Sequence, residues 1–259
     1  LLAPFGTASF CYSTAVDGAM SDVEGFRSRV WRRADPTHTG VVGLSKIAGQ
    51  LNRQSCIDTF LDKVLDAQII FFSREDFRVP DKAITFREWM DEGIAGAYPI
   101  LADFDAHLST MFPEVRPRGF LEIRSIDCQP RAWQFVPAMY YSGLLYNDQA
   151  LDQTLDLLLP LEQSVPDLLA RSENGLQDDQ LAKLADQVMK LAIEGFNRLP
   201  NCFKEDDADT VFSAFYDRFT SRGRTPATDL REAIKARGNA VPEAEDFYRL
   251  ESEWSAVTG

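Results

Sequence analysis

The spacing of apolar positions changes character along the chain. Up to about Gln134 short apolar runs alternate with turn residues and arginines; from there to the end apolar positions recur at helical intervals. In the first part, residues 58–67 predict a short helix with Phe60, Leu61, Val64 and Leu65 on one face. QIIFFS, residues 68–73, has the length and composition of a buried strand. Thr85-Phe86-Arg87-Glu88 is a capping box opening a short helix that Gly93 should stop. Residues 103–111 predict a further helix ended by Pro113, and residues 118–126 a strand. In the second part helices are expected over 135–146, over 148–159 (capped by Asp148 and stopped by Pro160) and over 179–199. Two more should cover 206–222, closed by Gly223, and the stretch from Thr225-Pro226 to about Gly238. Residues 172–178 read as a polar connection. The pattern implies an α+β protein in which residues 1–134 hold the mixed part and 135–259 a helical region packed on the same domain as scaffold.

Composition narrows the classes. Apolar residues are 45% and charged residues 26% of 259, the balance of an ordinary globular protein. A net charge of −13 argues against a nucleic-acid surface, so small anions must be held by local arginines. Cys11, Cys56, Cys128 and Cys202 are scattered and histidines number two, so neither zinc spacing nor a disulfide framework emerges. A reducing, cytoplasmic setting with mostly packing cysteines is the expectation, although an oxidation-regulated pair stays open. The uncharged stretch 1–16 lacks a basic leader and is interrupted by Pro4 and Gly6, and no window of about 20 apolar residues spans a bilayer. Because the first residue is Leu1, the sequence is expected to start inside a longer protein. Nothing in it fixes an oligomeric state.

Candidate chemistry sits in RPRGFLEIRSID, residues 116–127. Alternation on a strand would put Arg118, Phe120, Glu122 and Arg124 on one face and Gly119, Leu121, Ile123 and Ser125 on the core side. Glu122 and Arg124 would then lie roughly 6.5 Å apart. A carboxylate is a hard ligand for Mg²⁺, and guanidinium groups fork onto phosphate or carboxylate oxygens. The same pattern also fits a solvent-facing strand whose charges pair with neighbours. A second cluster, Arg27, Arg29, Arg32 and Arg33, is either a basic surface stretch or an anion-recognition segment, with Trp31 anchoring it in the core and DPTHTG, 35–40, forming a turn. No P-loop, dinucleotide-binding glycine motif or nucleophile elbow occurs.

These segments resemble the plant and proteobacterial type of glutamate–cysteine ligase, and more distantly the actinobacterial enzyme of ergothioneine synthesis. HLSTMFPEVRPRGFLEIRSID, residues 107–127, carries the resemblance most strongly, followed by QPRAW at 129–133 and GLLYND at 143–148. RSRVWRRADPTHTG at 27–40, VPDKAITFREWM at 79–90 and LAKLADQVMKLAIEGF at 181–196 support it. The resemblance implies a glutamine synthetase-like curved, mainly antiparallel sheet with helices outside. It implies ATP-dependent ligation of the L-glutamate γ-carboxyl to the L-cysteine amine through a γ-glutamyl phosphate, the first step of glutathione synthesis. Glu122 becomes a Mg²⁺ ligand and Arg124 a contact of the transferring phosphoryl group. Arg27 falls at the substrate or phosphate end. Arg116 and Arg118 belong to the same block, Arg118 ranking lower because plant-type sequences vary there. Trp133 either borders the glutamate pocket or is core, and His107 reads as a core or capping histidine. A plant-like parent would make a plastid the compartment. The family's other metal-binding glutamates belong to a segment that this sequence does not include, so the chain alone is expected to be inactive. Two alternatives remain: another ligase of the superfamily with a different amine acceptor, and a non-catalytic relative. Intact Arg27, Glu122 and Arg124 argue against the second.

Overall fold

The computed structural model of the protein describes residues 1–16, 18–43, 52–72, 79–94, 96–238 and 241–258. They form two compact units, one of residues 1–30 and 125–259, the other of residues 31–124. Among the described residues strand is sparse and helix dominates, an α+β composition: three two-stranded pairings occur, two antiparallel and one parallel.

The first unit is built on helices. Its N-terminal helix α1 (Ala3–Ser9) is buried along its whole length and packs against α8 (Val165–Arg171) and α9 (Asp179–Asn197). The uncharged start of the chain is therefore core. Helix α6 (Val136–Tyr146) crosses α9 where Gly143 faces Gly195; a Cβ on Gly143 would overlap the Ala192 carbonyl oxygen and lie 2.8 Å from the Phe196 nitrogen. Only two glycines allow backbones so close. Around this crossing an aromatic core fills in. The Phe10 ring is edge-on to Tyr140 at 5.4 Å and 5.3 Å from Phe215. Helix α7 (Asp148–Leu158) is capped by Asn147, whose side chain accepts from the Ala150 amide, so the expected cap Asp148 is the first helical residue instead. Helix α7 ends at Leu158, just ahead of Pro160 as expected, and a 3₁₀ stretch, Leu159–Ser164, leads on into α8. The polar connection is a second 3₁₀ stretch, Ser172–Gln177, turned by Gly175 at φ 62°. After α10 (Ala208–Arg218), Gly223 adopts the left-handed conformation expected of a terminator. Thr225 then caps α11 (Pro226–Ala236), and α12 (Ala244–Thr258) closes the chain with Trp254 fully buried.

The second unit carries α3 (Arg53–Leu65), α4 (Phe86–Glu92) and α5 (Leu101–Ser109). Helix α3 begins earlier than apolar periodicity indicates because Asn52 and Ser55 form a capping box in a polar stretch. Thr85 and Glu88 cap α4 as expected, and Gly93 ends it at φ 71°. In place of a wholly buried strand, residues 67–70 alternate buried and exposed, with Gln68 bridged to Thr85; Ser73 of the expected strand lies outside the described residues. Ile69, Phe72, Phe86 and Trp89 make one core cluster, and Val64, Ala67 and Met111 another. His107 stacks on Phe86 at 4.9 Å with its Nε2 against the Val64 carbonyl at 2.8 Å, the core role expected of it. His38 is equally buried, its ring nitrogens 3.0 Å from Thr110 O and 2.6 Å from Gln68 O.

Strand β3 (Thr39–Gly40) pairs in parallel with β4 (Phe112–Pro113), and β5 (Val115–Pro117) pairs antiparallel with β6 (Leu121–Ile123). Phe112 and Glu114 donate to His38 O and Gly40 O, while Glu114 O accepts from Arg124 N. The segment 112–117 is thus the central strand between β3 and β6. The first unit also contains a short hairpin of β1 (Ala15–Val16) and β2 (Ala19–Met20). Helix α2 (Phe26–Arg33) straddles the division between the units.

Candidate active site

The charged block is a hairpin, not the continuous strand expected over 118–126. Gly119 takes φ 78°, a conformation closed to most side chains, and reverses the chain so that Arg116 lies opposite Glu122. This corrects the expected face. Arg118 and Phe120 occupy the exposed turn, and Leu121, expected in the core, is 67% exposed because three paired residues are too few to bury one side.

What the hairpin brings together is Arg116, Glu122 and Arg124. Glu122 Oε2 accepts from Arg116 Nε at 2.8 Å and pairs with Nη2 at 2.6 Å, a forked grip on one oxygen. Glu122 Oε1 accepts from Arg124 Nη1 at 2.6 Å. Hydrogen bonding from Arg116 first, then from Arg124, holds the Glu122 carboxyl below the usual carboxylate range despite partial desolvation. Arg116 is further tied to Met111 O at 3.2 Å. Both guanidinium groups lie over aromatic rings. Arg124 is 4.9 Å from the Phe112 centroid and 5.2 Å from Trp31; Arg116 is 5.3 Å from Phe112. The two rings are 5.7 Å apart. Trp31 is half-buried, a shelf under Arg124 more than a core anchor. The sequence held this signal in Trp31 within the arginine-rich segment and Phe112 just ahead of the charged block.

Arg27 and Trp133 belong to the first unit. Arg27 is half-buried on the first turn of α2. Arg29 of the same cluster is engaged with Asp22 and with Glu173 at 3.0 Å. Trp133 is fully enclosed, 5.7 Å from both Phe215 and Phe219, which is the core arrangement of its two open readings. Of the cysteines only Cys11 is buried; Cys56 is half-buried and Cys128 and Cys202 are exposed, so packing accounts for one of the four.

Mg²⁺ takes oxygen ligands. Of the roughly four lone-pair positions of a carboxylate, Glu122 spends two on Arg116 at Oε2 and one on Arg124 at Oε1. Oε1 is thus the less engaged of the two oxygens, on a side chain 28% exposed. Glu122 fits a single monodentate ligand. Among the described residues no group of three or more His, Cys, Asp or Glu gathers to complete a metal site.

Arg116, Arg118 and Arg124 against Glu122 give the hairpin a local excess of positive charge in an acidic chain. Guanidinium groups so held can fork onto the oxygens of a small anion. The chain belongs to the glutamate-cysteine ligase family 2 (GCS2), whose family model matches residues 1–248. Similar curated proteins include the chloroplastic glutamate–cysteine ligases of Solanum lycopersicum, 30% identical over 242 residues, and of Arabidopsis thaliana, 28% identical over the same length. Each match covers 89% of this chain and 44% of the relative. That of Nicotiana tabacum is 29% identical with the same coverage. The chain thus spans less than half the length of these relatives. Their names correct the expectation of a cytoplasmic protein: the relatives are chloroplastic enzymes. Among the described residues no helix is long and apolar enough to cross a membrane.

Proposed function

We propose that this chain supplies the phosphoryl- and carboxylate-handling part of an ATP-dependent glutamate–cysteine ligase, on a glutamine synthetase-like scaffold. The observation that carries the reading is the Glu122 carboxylate clasped between Arg116 and Arg124 on the Phe112–Trp31 shelf. In the proposed reaction the γ-phosphoryl of ATP passes to an oxygen of the glutamate γ-carboxylate and ADP leaves. The cysteine amine then attacks the acyl carbon, the bond to phosphate breaks, and the nitrogen loses a proton. Arg124 and Arg116 direct their guanidinium groups to the oxygens on which charge builds, a task preorganised donors perform at little reorganisation cost. Glu122 fixes the angle between the two guanidinium planes and would offer Oε1 as one ligand to Mg²⁺. When bound, Mg²⁺ supplies neutralisation of phosphoryl charge. Arg27 serves the phosphate end and Arg118 the outer approach on the hairpin turn, while Trp133 packs in the core of the first unit and takes no direct part. Residues 1–134 form the C-terminal part of the catalytic domain and 135–259 its helical scaffold.

One carboxylate cannot hold a metal cluster, so the 259-residue chain by itself is expected not to turn over. The test is ATP-dependent γ-glutamylcysteine formation by the complete gene product, with competing amines offered as acceptors. Loss of product in a folded Glu122→Gln variant is the expected result. Wild-type rates in that variant, or preference for another amine, would overturn the residue role or the acceptor respectively.

A further inference from the structure

Three residues beyond Arg124 along the chain, Asp127 gathers four hydrogen bonds within the first unit. Its Oδ2 accepts from Tyr12 N at 3.0 Å, Ser13 N at 2.6 Å and Ser13 Oγ at 2.6 Å, and its Oδ1 from Cys128 N at 2.8 Å. The Ser13 hydroxyl has one proton and gives it to this carboxylate, which turns its lone pairs elsewhere. One of them accepts from Arg27 N at 3.0 Å, and the Ser13 carbonyl accepts from Phe26 N at 2.8 Å. Phe26 and Arg27 are the first two residues of α2, and their amides are donors a helix cannot satisfy internally. The residue before them is Gly25, which has no side chain to cap with. The cap comes instead from residue 13, and Asp127 sets its rotamer.

The turn beside it is fixed from another side. Gly25 N donates to Glu173 O at 2.8 Å, and Arg29 pairs with Asp22 and Glu173. With those contacts holding the helix laterally, the Asp127–Ser13 bracket determines the height and rotation of its first turn, where Arg27 stands.

We propose that Asp127 is a positioning residue that acts through Ser13 on Arg27. This rests on the ligase reading, in which Arg27 serves the phosphate end of the site. The bland alternative is that Asp127 only ties down the loop at Tyr12 and Ser13.

The two are separated with the complete gene product carrying Asp127→Asn or Ser13→Ala, each alone and combined with Arg27→Ala. Asn is isosteric but removes the charge and must turn its NH2 against at least one of the four donors; Ser13→Ala removes a single hydroxyl and serves where the Asn variant does not fold. Three quantities are read: hydrogen exchange of the peptide spanning residues 24–29 by mass spectrometry, ATP affinity by calorimetry, and the division of the kinetic effect between KM for ATP and kcat. The expected result is faster exchange in that peptide and ATP binding weakened roughly tenfold, with kcat changed less. In the Arg27→Ala background neither variant should weaken ATP binding further, the signature of coupling through Arg27. An equal loss on top of Arg27→Ala, or unchanged exchange, overturns the positioning role. ATP binding that follows the cycle in a protein forming no γ-glutamylcysteine would sink the ligase reading alone. Robust ligation with additive effects would sink the positioning role alone.

Discussion

Replacing Phe112 by leucine tests whether the aromatic shelf, and not just the charge of the arginines, organises the site. Leucine keeps much of the apolar bulk and leaves the Phe112 N to His38 O bond of 2.7 Å untouched. It removes the ring that lies 4.9 Å from the Arg124 guanidinium and 5.3 Å from that of Arg116. Both arginines are partly exposed, with side-chain exposures of 18% and 11%. Each cation–π contact at such a place contributes about 0.5–1 kcal/mol, so losing two costs about 1–2 kcal/mol. If the arginines contact the transferring phosphoryl group, kcat/KM of the complete gene product should fall roughly 5- to 30-fold. Phe112→Tyr should restore most of it, and the thermal midpoint of the leucine variant should fall by roughly 2–8 °C, with tyrosine recovering most of that as well. The assay is initial-rate formation of γ-glutamylcysteine over a range of ATP. A leucine variant within about twofold of wild type, together with a silent Trp31→Leu, would refute the shelf.

Other consequences are independent of that one. Gly143→Ala forces apart the backbones of α6 and α9, at about 3 kcal/mol of overpacking against about 1 kcal/mol gained in helix propensity. A thermal midpoint lower by roughly 4–8 °C is expected, and an unchanged midpoint would contradict the close crossing. Arg116 and Arg124 depress the Glu122 pKa, so its contribution to stability is complete above the ordinary glutamate range and is lost only as pH falls through the lower folded value. Titration of Glu122 by NMR at or above the ordinary range would count against the clasp. Burial chiefly lowers the pKa of His107, with His38 adding to it and the Val64 carbonyl opposing. Its neutral form therefore stabilises the fold fully above the ordinary histidine pKa of about 6.5, and this is lost as pH falls from there through the folded value. Urea midpoints at about pH 7.5 and 5.5 should differ more in wild type than in His107→Gln; equal differences would rule out His107 as their source.

Local signals in the sequence translated well where they were self-contained. The Thr85–Glu88 box, Gly93, Thr225-Pro226 and Gly223 each act within one turn of chain, and each stands where the residues place it. Neighbouring candidates were harder: Asn147 and Asp148 are both good caps, and the extended backbone at Asn147 decides between them. Pro160 stands just past the end of α7 as expected, and there it opens a 3₁₀ turn in which a proline sacrifices no hydrogen bond. In the site, the residue types were legible but their pairing was not. Gly119 inside an apparent strand is the overlooked mark of a reversal, and it converts an expected row of Arg118, Glu122 and Arg124 into a cross-strand pair of Arg116 with Glu122. The interleaving of residues 1–30 with 125–259 depends on contacts more than a hundred residues apart, such as Thr7 Oγ1 to Ser125 O, which no local pattern encodes.

The central claim is that Arg124, oriented by Glu122 and seated on Phe112 and Trp31, stabilises the phosphoryl group in transit. It is tested most directly by the turnover of an Arg124→Ala variant of the complete gene product, with folding checked by circular dichroism. A fall of roughly 100-fold or more in kcat is predicted, the loss expected when one preorganised donor to a developing oxyanion is removed. A folded variant turning over within about threefold of wild type would contradict it.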